Sequence, residues 1–320
     1  LTLSKLDPAR RFRSVPGDPG KDGWVMRTCT MAFRGLLLGW IGLGGSVFAA
    51  DPVQLRYKFA VGQIVQYEVV SDGDITTQVS EASETTKNKS RSKKHYRVVS
   101  VTPEGDGDLE MTIDWVRLEA QFGDDKPVIY QSDDPDLHPP QFKDVDAVVG
   151  KSQAVIRFSS LGKLIGRQGV DPKTKTSSEN SIESYLIPLP EQPVAVGESW
   201  KERFEVEIVT QDKLPLRVKM LRSFKLADVA DGKAKIDFRT SILTPIEDPA
   251  LSVQLIQRET AGQVLFDIDS GTIQSRSSTL ERTVVNPFGP KSSLRATARY
   301  VETALPAGGV AAKPDATATK

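Results

Sequence analysis

The sequence predicts a mainly β protein: long antiparallel strands in a curved sheet or partly open barrel, two pseudo-repeated halves, and one or two short helices. Three observations carry that expectation. Apolar side chains recur at every second position in one segment after another, which is the signature of a half-buried strand. Turns containing Gly and Asp, residues that tolerate positive φ, punctuate those segments. The same order of strands and turns then occurs a second time along the chain. The composition agrees with a folded globular chain: of 320 residues, 38% are hydrophobic and 26% charged. Because 42 Lys+Arg balance 42 Asp+Glu, no overall field favours nucleic acid, and no nucleic-acid partner is expected.

Taken in chain order, residues 1–25 begin with Leu and contain the basic cluster Arg10, Arg11 and Arg13, so translation is expected to start at Met26 or Met31. Met31–Arg34 carry positive charge, Gly35–Gly45 are apolar, and Ser46–Ala50 supply small residues, so residues 26–49 are expected to be a secretory signal peptide. The apolar run, about 11 residues, is shorter than the roughly 20 that cross a bilayer as a helix. Cleavage after Ala49 or Ala50 would start the mature chain near Asp51, free in the periplasm or secreted and not membrane-spanning. Removing residues 1–49 takes away seven Lys+Arg and three Asp+Glu and leaves a net charge of about −4. The only cysteine, Cys29, leaves too, which excludes disulfides, thiolate ligands and a Cys nucleophile. Its place ahead of the apolar run also argues against a lipid anchor.

The first β half spans residues 50–170. Leu55, Tyr57, Phe59 and Val61 alternate with polar residues, followed by Val65, Tyr67 and Val69, and then by Leu109, Met111, Ile113 and Trp115. After Trp115 the apolar phase moves to Val116 and Leu118, which predicts a β-bulge or a change of covered face. Residues 171–190 form the connection, with a helix expected over Ser177–Leu186, capped by Ser or Asn and stopped by Pro188. The second β half, 191–302, alternates at Phe204, Val206 and Ile208, at Ile236, Phe238 and Ile242, and at Val264, Phe266 and Ile268. Ala250–Gln257, after Asp248-Pro249, reads as either helix or strand. The tail, residues 303–320, is rich in Ala, Pro, Gly and Thr and has the composition of a disordered terminus.

Three matches in the same order suggest an internal duplication. Ala60-Val61-Gly62-Gln63 matches Ala195-Val196-Gly197-Glu198; Val99 and Val101 before Asp106-Gly107 match Phe224 and Leu226 before Asp231-Gly232; Val155-Ile156 with Gly162 and Arg167 match Val264-Leu265 with Gly271 and Arg276. The spacing between copies falls steadily, so the second copy has shorter connections. The segments Pro193-Val194-Ala195-Val196-Gly197-Glu198-Ser199-Trp200 and Phe266-Asp267-Ile268-Asp269-Ser270-Gly271 resemble an uncharacterised family of secreted bacterial β-rich proteins. In that family a V-x-V-G-[DE]-x-W segment opens a strand and a late D-x-x-x-G hairpin follows. The resemblance implies export and a β architecture, and no activity. The first copy departs from the pattern, with Val65 where the second has Trp200.

Recognisable catalytic chemistry is missing from the sequence. Two histidines, His95 and His138, exclude a His-rich metal site and the H-E-x-x-H helix. The Ser160–Lys163 stretch fits S-x-x-K but falls in a predicted hairpin rather than at a helix start. No phosphate-binding or dinucleotide fingerprint is present. No catalytic residue, metal or cofactor is therefore assigned. Asp124, Asp125, Asp133, Asp134, Asp136, Asp144 and Asp146 form an acidic segment read as a solvated loop, with calcium ligation as the alternative. The basic run Lys87–Lys94 is expected to solvate the tip of a long hairpin, with contact to an anionic envelope polymer as the alternative. Tyr67, Trp115, Trp200 and Phe204 sit at inward strand phases, where they either pack a core or line a ligand cavity. The functional expectation is non-catalytic binding of a hydrophobic small molecule or envelope component in a concave sheet. The alternative is a structural or protein-interaction component of the cell envelope.

Overall fold

A computed structural model describes residues 51–168 and 186–306. Twelve strands form one antiparallel sheet: β1 Ile64–Val79, β2 Ala82–Val101, β3 Gly107–Phe122, β4 Val128–Gln131, β5 Ser152–Phe158, β6 Leu164–Gln168, β7 Ser199–Val209, β8 Pro215–Ala230, β9 Lys233–Ile242, β10 Ala261–Asp267, β11 Thr272–Val285 and β12 Ser292–Ala304. They lie in the order β6-β5-β3-β2-β1-β12-β11-β10-β9-β8-β7, with β4 paired beside β5 on the same edge of β3. The sheet is open and curved, with edges at β6 and β7, and is not closed into a barrel.

Two short α-helices accompany it among the described residues, α1 Lys143–Asp146 and α2 Pro249–Leu255. The second resolves the ambiguity at residues 250–257 in favour of helix. Pro249 occupies the first turn, where its missing N–H costs nothing, and the Asp248 carboxylate accepts from the Ala250 N–H at 2.8 Å. The helix expected over Ser177–Leu186 lies outside the described residues, apart from Leu186. The strand β12 runs on through Ala304, into the start of the expected tail, and residues 307–320 lie outside the described set.

The duplication is written in the hydrogen bonds. Before β1, the Ala60 N–H donates to Gln63 Oε1 (3.2 Å), the Gly62 N–H to the Val98 carbonyl (2.9 Å) and the Val98 N–H to the Gln63 carbonyl (2.9 Å). Before β7 the set repeats: Ala195 N–H to Glu198 Oε2 (2.8 Å), Gly197 N–H to Leu226 (2.7 Å), Leu226 N–H to Glu198 (3.0 Å). Gly62 and Gly197 take φ of +82° and +94°, a conformation open to glycine and strained for any residue carrying a Cβ. So β1-β2-β3-β5-β6 is one copy and β7-β8-β9-β10-β11 the other, each an antiparallel meander. The strand β12 has no counterpart and joins the copies by pairing with β1 and β11.

Pairing also corrects two of the matches: Val98, not Val101, takes the place of Leu226, and the third match moves by one residue. Register shifts follow Arg157 in β5 and Leu265 in β10, so buried Ile156 and Phe158 correspond to buried Val264 and Phe266. With a side-chain period of two, a one-residue offset would have exchanged faces.

The segments ahead of each copy act as arms across one face of the sheet. They bond each other through Val53 and Val194 (2.9 and 3.0 Å), and each sits on a hairpin turn of the opposite copy. The Lys58 N–H bonds the Gly271 carbonyl (3.3 Å), and the Leu189 N–H bonds the Leu161 carbonyl (2.8 Å). A Cβ on Gly271 would lie 2.5 Å from Lys58 N, and one on Gly162 would lie 2.4 Å from the Ile187 carbonyl. Leu55, Tyr57, Ile187 and Leu189 from the arms pack with Phe224, Leu226, Ile236, Val264 and Phe266 of the second copy. Fully burying each of these large side chains contributes about 2 kcal/mol.

Two expectations are corrected here. The bulge falls at Asp114, ahead of Trp115: Lys94 faces Ile113 while Lys93 faces Trp115. Ile113 and Val116 therefore share the packed face, and Trp115 projects from the other one. The basic run does not lie at a hairpin tip either. It runs along the middle of β2, with Lys87, Lys89, Arg91 and Lys93 exposed on the outer face and Asn88, Ser90, Ser92 and Lys94 half-buried on the inner one.

Candidate functional site

Register assigns each side chain to a face. The inner face carries every packed cluster, and it is covered in patches: by the arms near one end, by α2 over β7, β8, β11 and β12, and by Tyr130, Val145 and their neighbours over β3. Between the patches, most inner positions of the long central strands carry small or polar side chains, with Tyr300 of β12 standing between Ser71 of β1 and Ser278 of β11. Ser71 and Gly73 of β1, Asn88, Ser90 and Ser92 of β2, and Ser278 of β11 are all half-buried. Larger apolar side chains stand at both ends of this band. Tyr67, Tyr96 and Met111 lie on one side, and Leu280, Leu294 and Ile75 on the other.

A buried ion group borders the band. Glu302 of β12, 3% exposed, receives Lys94 Nζ of β2 at 2.7 Å on one oxygen and Arg276 of β11 at 2.5 Å on the other. The Tyr300 hydroxyl donates to Glu302 Oε2 at 2.9 Å, and the Arg276 guanidinium lies over the Tyr300 ring. Burial alone would raise the Glu302 pKa, but the charges of Arg276 and Lys94 outweigh it and hold the carboxyl down, from its ordinary 4.5 to about 2. Burial likewise opposes the charge on Arg276, and Glu302 more than offsets it, so the net shift is upward. Two cations share one carboxylate, leaving one positive charge in excess. The Arg276 Nε and Asn88 Nδ2 atoms are buried without a hydrogen-bond partner among the described residues. Toward the β7 edge, Arg222 pairs one to one with Glu202 at 3.1 Å, and burial leads the net upward shift of the Glu202 pKa.

The four aromatic residues proposed from sequence as a cavity lining are not brought together. Tyr67 is buried in the first copy, edge-on to Tyr96 with centroids 5.7 Å apart, and its hydroxyl donates to the Ile273 carbonyl at 2.8 Å. Trp200 stacks on Phe224 at 5.5 Å and donates Nε1–H to the Pro188 carbonyl at 2.7 Å. It lines a cleft of about 360 Å³ with Pro190, Pro193, Val194, Glu198 and Ser199. Phe204 packs beside Val206 and Val218, with the Arg222 guanidinium 5.0 Å above its ring. Trp115, on the outer face, hydrogen-bonds Asp133 and holds that carboxyl below its ordinary range.

The remaining motifs resolve into local structure. Ser160–Lys163 forms the β5–β6 turn, closed by the Gly162 N–H on the Ser159 carbonyl at 2.8 Å, and Lys163 Nζ is committed to Glu191 at 2.7 Å. In the acidic segment, Asp134 accepts from the Asp136 N–H at 3.1 Å. Asp146 accepts from the Tyr130 hydroxyl at 2.6 Å and lies 3.2 Å from His138 Nδ1. No three His, Cys, Asp or Glu side chains converge as metal ligands among the described residues. No helix among them is long and apolar enough to cross a membrane.

Sequence reading missed the Lys94–Glu302–Arg276 group, although a signal was present. Glu302 continues the phase of Leu294, Ala296 and Ala298, and a charged residue in an inward phase needs a buried partner.

Fold and site together define a single-layer open β-sheet protein with a partly covered inner face. No family model matches the sequence, and no curated protein matches it. Among solved structures, one titled "Lipid-protein interactions in lipovitellin" is similar at 12% identity with a TM-score of 0.45, over 78% of this chain and 25% of that one. This chain thus spans a quarter of the length of that chain.

Proposed function

We propose that this chain is an exported, non-catalytic binding protein that takes an apolar or envelope-derived ligand on the inner face of its curved sheet. The observation that carries the reading is the half-buried band of small side chains between two apolar clusters. A sheet normally covers its packed face with a second layer. Here the arms and two short helices leave Ser71, Gly73, Ser90, Ser92 and Ser278 only partly covered among the described residues. A ligand lying over these positions would bring its apolar surface against Val65, Met111, Ile75 and Val284, which are themselves only partly buried. The excess positive charge at Lys94 and Arg276 favours a ligand with an anionic end.

The test is native mass spectrometry of the chain purified from an exporting host, with organic extraction of whatever accompanies it. A stoichiometric apolar or amphipathic molecule is expected. A clean protein mass from that host, with nothing in the extract, would overturn the reading.

A further inference from the structure

We infer that the β7 edge pairs with the β7 edge of a second copy of this chain, antiparallel and centred on Phe204. Along β7, Trp200, Glu202, Phe204, Val206 and Ile208 form one alternating set and face inward. Thr210 continues that set and donates its N–H to the Leu214 carbonyl of the β8 side at 2.9 Å. The even-numbered residues therefore bond β8, and the backbone groups of Lys201, Arg203, Glu205, Glu207 and Val209 point away from the sheet. Val209 is already satisfied: the Gln254 side chain accepts from its N–H at 3.1 Å and donates to its carbonyl at 2.7 Å. The other four have no partner for these groups among the described residues, which leaves a symmetric unpaired stretch around Phe204.

The charges on that stretch match themselves. In a two-fold antiparallel pair centred on Phe204, Arg203 meets the second copy's Glu205 and Lys201 meets its Glu207, each contact occurring twice. About eight backbone hydrogen bonds would form with them. All four side chains are exposed, and none makes an ion pair among the described residues. Glu205 and Glu207 also lie across from Lys219 and Arg217 of β8, so the outer face would carry alternating charge through the junction. Charges placed to keep an edge solitary would meet like against like; these meet opposite against opposite. The other edge, β6, is five residues long, against eleven for β7. A self-complementary edge generates a closed dimer and no fibre.

Sedimentation velocity across a concentration series tests this, with circular dichroism confirming that each variant folds. The chain is expected to form a dimer. Arg203→Glu sets like charges at both 203–205 contacts and should raise the dissociation constant by about tenfold or more. The swap Arg203→Glu with Glu205→Arg restores the match and should restore the dimer. In a Cys29→Ser background, Phe204→Cys should form a disulfide with its own copy, because only the central residue faces itself, while Val206→Cys should not. A monomer at every concentration would overturn the inference, as would an Arg203→Glu dimer of unchanged strength, a swap that fails to restore it, or crosslinking at 206 in place of 204.

Discussion

Replacing Glu302 with Gln keeps the shape of the side chain and removes its charge, leaving Lys94 and Arg276 facing a neutral amide. Arg276 is buried, 7% exposed. Removing one partner of such a buried pair costs about 3–5 kcal/mol, because a charge stays buried without compensation. The depressed carboxyl points the same way: the neighbouring charges of Arg276 and Lys94 favour its charged form in the folded chain. A carboxyl with a lowered folded pKa contributes fully above its unfolded value and loses that contribution as pH falls toward its folded value. The loss should therefore appear between pH 4.5 and about 2. Urea unfolding followed by tryptophan fluorescence is the assay, run at neutral pH and down an acid series. Glu302→Gln should unfold about 3 kcal/mol more easily at pH 7 and should lack this part of the acid-side loss. Replacing Lys94 and Arg276 with Met and Glu302 with Leu together removes all three charges and should recover most of the deficit, since an apolar group of similar volume is close to neutral. A single variant within about 1 kcal/mol of the parent, with an unchanged acid slope, would refute the reasoning.

The arms and turns supply two further predictions. Gly271→Ala and Gly162→Ala each place a Cβ within 2.5 Å of arm backbone at a positive φ, so each should lower stability by about 2 kcal/mol or more and expose its arm to protease. Digestion followed by mass mapping would show cleavage near residue 58 for the first and near 187 for the second. Trp200→Phe preserves the stack on Phe224 and deletes the bond to the Pro188 carbonyl. Its cost should be about 1 kcal/mol in a thermal melt, with the spectrum of the folded sheet unchanged.

The strands were legible because one face of each is packed and the other wet, which writes a period of two into the sequence. The duplication was legible through Gly62 and Gly197, whose positive φ leaves few alternatives to glycine. Trp115 occupies the opposite face from the one its alternation predicts because the extra residue is Asp114, ahead of it, and not a residue after it. A bulge shifts phase without a mark on either neighbour. Grouping Tyr67, Trp115, Trp200 and Phe204 failed for a different reason: phase states which face a residue occupies and nothing about which strands stand side by side. The pairing of β1 with β12 joins the two ends of the described chain, and no local pattern encodes so distant a contact. The same distance hid the ion group, whose members lie on three strands.

The position of that group explains why β12 exists. Each copy is a five-stranded meander that would end in an exposed strand, β1 on one side and β11 on the other. An added strand between them removes both edges and leaves the sheet with only its outer pair, β6 and β7. The inserted strand also carries the carboxylate: Glu302 accepts Lys94 from the first copy and Arg276 from the second. The arms make the same connection at the level of the backbone, each seated on the hairpin of the opposite copy. The two copies are thus fastened twice across one seam, by charge and by main chain. The small side chains of the open band lie beside that seam, on β2 and β1 and, across Tyr300 of β12, at Ser278 of β11, where the repeat symmetry is broken and where a surface could specialise without disturbing either meander.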